Sequence, residues 1–131
     1  MNDSPLYRDE SRVRHMLDAV EQISELANGL TRQQMALHDG VTERILFNLV
    51  ILGEAANNIT SDFAGKNTDI DWRGIAGIRH KIVHDYAEID FDTIWDILQN
   101  EIPGALVKLK ALAATLAPEP DEQPSNLSDF L

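Results

Sequence analysis

Apolar residues return at intervals of three and four along most of the chain, and the breaks between these runs fall at residues that start or stop helices. Ser4-Pro5 offers a capping hydroxyl followed by proline at the first helical position. Leu6, Val13, Leu17, Val20, Ile23, Ala27 and Leu30 then share one face, which predicts a long amphipathic helix to about Asn28-Gly29. Thr31 can cap a short helix reaching about His38, closed by Asp39-Gly40. A second long helix is expected from Val41 or Thr42, with Ile45, Leu46, Leu49, Leu52, Ala56 and Ile59 as its apolar stripe. "TSDFAGKNTDID" reads as a connection with about one helical turn in it. Asp71 caps the next helix, which turns Trp72, Ile75, Ile78 and Ile82 inward and ends near His84.

"AEID" reads as a turn. Phe91, Ile94, Trp95, Leu98, Ile102, Leu106, Leu109 and Leu112 mark a last long helix, which Pro103 should kink by removing a backbone donor and crowding the preceding turn. No stretch alternates with the period of a strand, and no internal repeat is visible. The expected fold is all-α, an antiparallel bundle of four to five helices over residues 1–117. The remainder, 118–131, is proline- and acid-rich and reads as a flexible tail.

The composition narrows the class. A chain of 131 residues with 44% hydrophobic positions suits one soluble globular domain. No apolar run approaches the roughly 20 residues that cross a bilayer, so no membrane role is expected. The N-terminus "MNDSPLYRDESR" lacks the basic-then-apolar pattern of a signal peptide. Cysteine is absent, which excludes disulfides and Cys-based zinc sites and makes a cytoplasmic location the simplest expectation.

A net charge of -11 argues against nonspecific binding of nucleic acid by the surface as a whole. That charge is uneven. Glu119, Asp121, Glu122 and Asp129 lie in a tail with no basic residue, whereas Arg73 to His84 carries Arg73, Arg79, Lys81 and two histidines with no acid. If this chain meets phosphate anywhere, that is the place.

Within it, "GIAGIRHKIVHDYAEID" gathers Arg79, His80, Lys81, His84 and Tyr86 beside the isoleucines of the core stripe. Arg79 is a permanent cation whose planar fork fits phosphate oxygens at two points. His84 can exchange a proton near neutral pH. Together they suffice to cleave RNA without a metal: the imidazole takes a ribose 2'-hydroxyl proton, that oxygen attacks phosphorus, and the guanidinium holds the developing charge. The five-residue step between them turns about 140° on a regular helix, so they would not share a face. Either the helix ends or unwinds before His84, or a second copy in a two-fold dimer completes the site.

Plainer readings exist for each residue. Arg79 and Lys81 could be solvated charge near a helix C-terminus. His80 and His84, four apart, could bind a metal, but no third ligand is visible, so no metal site is expected. Trp72 and Trp95 read as core anchors rather than stacking platforms for bases.

The pattern Arg, four residues, His, any residue, Tyr in "RHKIVHDY" resembles the signature of the HepT-like toxins, a branch of the HEPN superfamily of all-helical ribonucleases. It sits in a longer frame similar to that family's: "NLVILGEAANNI" at 48–59, "IDWRGIAGIRHKIVHDY" at 70–86 and "IDFDTIWDILQNEIP" at 89–103, in order. The resemblance spans about residues 6–112 and leaves the acidic tail outside.

It implies the toxin of a type VII-like toxin–antitoxin pair. Arg79 and His84 would be the catalytic pair of a metal-independent endoribonuclease acting on RNA as a homodimer, without a cofactor. Tyr86 would be the acceptor of AMP from an MntA-like nucleotidyltransferase antitoxin. His80 stands where the family more often has another polar residue such as Asn, and it joins Glu54 and Asp85 as an auxiliary candidate. Glu54 is expected to bind Arg79 or a nearby backbone group rather than to take part in the chemistry. Attaching AMP two residues from His84 would add bulk and negative charge where RNA phosphate must enter. The alternative is a noncatalytic HEPN partner of a nucleotidyltransferase that binds substrate or nucleotide.

Overall fold

The computed structural model describes residues 4–37, 39–84 and 86–118, with Tyr86 by its backbone only. Among these the regular elements are helical: α1 (Pro5–Ala27), α2 (Arg32–Ala36), α3 (Gly40–Asn57), α4 (Ser61–Lys66), α5 (Trp72–His84), a 3-10 turn (Tyr86–Glu88), α6 (Phe91–Asp96), a π segment (Ile97–Glu101) and α7 (Ile102–Thr115). No described helix is long and apolar enough to cross a membrane.

Local chemistry sets most of the boundaries. Tyr7 N–H donates to the Ser4 hydroxyl, 3.1 Å away, and Pro5 fills the first turn, so α1 begins as expected. It ends at Asn28, and Gly29 takes the left-handed φ of 77° that a side chain would resist. Thr31 and Gln34 cap α2 reciprocally, each side chain accepting the other's backbone N–H. Here the expectation needs correcting. α2 stops at Ala36 rather than about His38, which itself lies outside the described residues. Asp39 does not close α2 but opens α3, its Oδ1 accepting N–H from Val41 and Thr42. An Asp-Gly pair suits a turn, but the carboxylate caps a helix equally well, and Gly is tolerated at the exposed first position. The buried Thr42 hydroxyl then donates to Met35 O at 2.9 Å and fastens α2 to α3.

The long helices pack in antiparallel pairs. Asp9, near the start of α1, meets Thr60, just past the end of α3. Arg14 donates to Ala117 O beyond α7. Gly53 meets Arg79 at the crossing of α3 and α5. The α1 stripe of Val13, Met16, Val20 and Ile23, the α3 stripe of Ile45, Leu49 and Leu52, and Ile78 from α5 converge with Ile94, Ile97 and Leu109 into one core. Removing a side chain of this kind from water contributes about 1.5–3 kcal/mol each, so the periodic stripes dominate fold choice. Leu6 is the exception: it falls on the α1 stripe but is 58% exposed.

Two features were not visible in the pattern. Asp9 is buried, and both its oxygens accept from Thr60, one from the amide at 2.9 Å and one from the hydroxyl at 2.6 Å. Thr60 in turn caps α4 through Phe63 N–H, so the connection contains a six-residue helix locked to α1. At Pro103, where a kink was expected, the backbone departs from the regular α-helix. The helix widens ahead of it into the π segment, where Ile102 N–H reaches back five residues to Ile97 O. Widening by one residue moves the proline ring away from the carbonyl it would strike in an α-helix.

Candidate functional site

The site is built where α3 and α5 cross. A Cβ added to Gly53 would fall against the Cβ, Cα and backbone nitrogen of Arg79. Only a residue without a side chain lets the helices touch there. That contact delivers the Arg79 guanidinium to the next residue of α3: Arg79 Nε lies 2.6 Å from Glu54 Oε2. Asn58, one turn further along, donates its amide N–H to Glu54 Oε1 at 3.2 Å and to Glu54 O at 2.9 Å. The carboxylate thus holds the arginine with one oxygen and is itself held by the other. Side-chain exposures of 39% for Arg79 and 51% for Glu54 place the pair at the surface. The closest approach of the pair is at Nε. Among the described residues no hydrogen bond engages the two terminal nitrogens, whose four N–H groups stay available to an anion.

α5 stays helical through His84. This removes one of the two ways of bringing Arg79 and His84 together: the helix neither ends nor unwinds before the histidine, and the pair stays about 140° apart around the axis. His84 instead faces His80. Their ring centroids are 4.1 Å apart with planes inclined by 41°. Both histidines and Lys81 are exposed. Among the described residues no three of His, Cys, Asp or Glu converge into a group that could hold a metal ion. Tyr86 opens the 3-10 turn directly after α5. Asp85 and the acidic tail from Glu119 onward lie outside the described residues.

Between α3 and the end of α5 lies a surface that the apolar pattern did not single out. Phe47 is 65% exposed and Val83 45% exposed, and with Leu46, Val50, Ile82, Ile89 and Glu43 they line an open groove of about 500 Å³. Phe47 stands off the buried stripe of α3, and a large aromatic on the outward face was the signal available. Trp72 is buried, packed edge-on against Phe63 with its Nε1–H donating to Asn67 O. Trp95 is partly buried against the core.

The sequence profile of the ribonuclease HepT-like family matches residues 16–112. A protein of Caldanaerobacter subterraneus subsp. tengcongensis bearing the name "Putative RNase" is 30% identical over 100 residues, 76% of this chain and 89% of that one. A Methanocaldococcus jannaschii protein with the same designation is 27% identical over 97 residues, 74% of this chain and 80% of the relative. A protein of Thermococcus cleftensis named "Probable ribonuclease HepT" is 28% identical over 95 residues, 72% of this chain and 86% of its own length. No solved structure matches the chain.

Proposed function

Because the chain belongs to the ribonuclease HepT-like family, we propose that it is an endoribonuclease toxin whose chemistry is carried by Arg79 and His84. The observation that carries this reading is the state of Arg79. Glu54 holds the guanidinium at Nε while the pair stays partly exposed at the surface, and five residues on along α5 the His84 ring is exposed. A structural arginine would spend its fork on protein acceptors. This one is oriented by Glu54 and stays partly exposed.

The reaction is transesterification. His84 Nε2 or Nδ1 accepts the proton of a ribose 2'-hydroxyl, and the resulting oxygen attacks the adjacent phosphorus. Arg79 donates N–H to the non-bridging oxygens as charge gathers on them. The 5'-oxygen leaves with a proton from a protonated imidazole, giving a 2',3'-cyclic phosphate and a free 5'-hydroxyl. No step requires a metal. Base and acid must stand on opposite sides of the phosphorus, and one regular α5 cannot supply both. A two-fold dimer can, because it brings a second Arg79 and His84 to the same cleft. The apolar groove containing Phe47 and Val83, the residue before His84 in the chain, suits that pairing.

In this reading Tyr86 is the regulatory acceptor, modified with AMP by an MntA-like nucleotidyltransferase partner. It lies two residues past His84, in the turn after α5. An added phosphodiester there would repel RNA and compete for Arg79.

The test is RNA cleavage by the wild-type chain and by His84→Ala, both in EDTA, with the product ends identified. Cleavage that persists in chelator, ends in a cyclic phosphate and disappears in the variant is expected. An inert wild type that binds nucleotide would favour the noncatalytic partner instead.

A further inference from the structure

His80 and His84 are two exposed imidazoles near the C-terminal end of α5. They stand one helical turn apart, with ring centroids at 4.1 Å and planes inclined by 41°. Both side chains are exposed, and among the described residues no hydrogen bond or ion pair engages either ring. The cleavage mechanism uses His84 and gives His80 no task.

Imidazoles at positions i and i+4 present nitrogens to the same side of a helix, which is how helical sites hold zinc. Zinc–nitrogen bonds of about 2.0–2.1 Å place two ligating nitrogens about 3.3 Å apart around a tetrahedral ion. Rings whose centroids lie 4.1 Å apart must open by a small χ1 change and turn about χ2 to aim both nitrogens at one ion, and among the described residues no polar partner opposes that. The local field also suits a cation. The last carbonyls of α5 lack helical partners and carry the negative end of its dipole. Arg79, the nearest permanent positive charge on the helix besides Lys81, is paired with Glu54. Lys81 is exposed on a flexible stem and can turn away.

We propose that His80 and His84 chelate a divalent transition-metal ion of zinc's class, with water in its remaining coordination positions. If His84 is the proton carrier described above, the site is inhibitory. An imidazole whose lone pair is on a metal cannot accept the 2'-hydroxyl proton. Zinc would then switch cleavage off, and a chelator would restore it.

The experiment is thermal unfolding of the full chain in added Zn²⁺, Ni²⁺ or Mg²⁺, with the ring resonances of the four histidines followed in parallel. Zinc and nickel should raise the Tm reversibly, because a site formed only in the folded chain stabilises it on occupation. Magnesium, which prefers oxygen ligands, should not. Substoichiometric Ni²⁺ should broaden the His80 and His84 resonances before those of His15, and His80→Asn should lose both effects. No Tm rise at millimolar zinc, or an equal rise in His80→Asn, overturns the proposal. Should zinc precipitate the chain, the order of broadening under trace nickel decides it alone. Zinc that binds this pair without slowing cleavage would leave the metal site standing and remove His84 from the chemistry. Active enzyme that ignores zinc would do the reverse.

Discussion

A Cβ on Gly53 would lie 2.6 Å from the Cβ of Arg79 and 2.8 Å from its backbone nitrogen. The arginine proposed to hold RNA phosphate therefore leaves α5 where that helix touches α3, and Glu54 receives its side chain one residue further on. A single glycine sets the register of both.

Gly53→Ala should consequently destabilise the fold, although alanine is the better helix former by up to about 1 kcal/mol. The obstructing atoms include backbone, which no rotamer change can clear, so overpacking of about 1–3 kcal/mol should prevail. Gly77, inside α5 with nothing within 4 Å of its added Cβ, is the control, and Gly77→Ala should hold or raise the Tm. Equal melting curves for the two variants would show that the helices do not cross this closely.

Arg79→Ala and His84→Ala should separate activity from stability. The Arg79–Glu54 pair is about half exposed and worth at most about 1 kcal/mol, and His84 is exposed. Cleavage should fall by about 10²–10⁴-fold in each while circular dichroism melts stay close to wild type. Glu54→Gln should weaken cleavage less than Arg79→Ala, since the guanidinium remains but loses its fixed orientation. Loss of folding in either alanine variant would assign that residue to the structure instead.

Phe47→Asp tests the two-fold arrangement. A charge on the exposed apolar face beside Val83 should break association without touching the core, because Phe47 is 65% exposed. Light scattering should report dimer for the wild type and monomer for the variant, with cleavage lost at unchanged helicity. A wild-type monomer that still cleaves would refute the shared site.

Tyr86→Phe should keep most of the cleavage activity, since the phenol is not a proton carrier in the mechanism. It should also escape neutralisation when co-expressed with a partner nucleotidyltransferase. Intact-mass measurement reads both arms: AMP on the wild type and none on the variant. AMP found on another residue of a neutralised variant would remove Tyr86 from the regulatory role.

The all-helical class, the caps at Ser4, Thr31 and Asp71, and the inward residues of α5 were legible in the sequence because hydrophobic periodicity and capping act within a few residues. So was the signature that pointed to a ribonuclease family. What the sequence could not decide depended on atoms far apart along the chain. Asp9 is a charged residue at the start of an amphipathic helix until Thr60, 51 positions away, buries it by supplying two hydrogen bonds. Pro103 announces a disturbance, but its form, a widened turn ahead of the ring, was not legible from local pattern. Asp39 could close one helix or open the next, and the anchoring of Thr42 on Met35 fits the second. At the site, spacing named Arg79 and His84, yet only tertiary contact joined Arg79 to Glu54, and only the folded chain shows α5 helical to His84. The physical reason is one of range: local steric and capping preferences choose the elements, whereas the close approach of α3 and α5 determines which side chains meet across them.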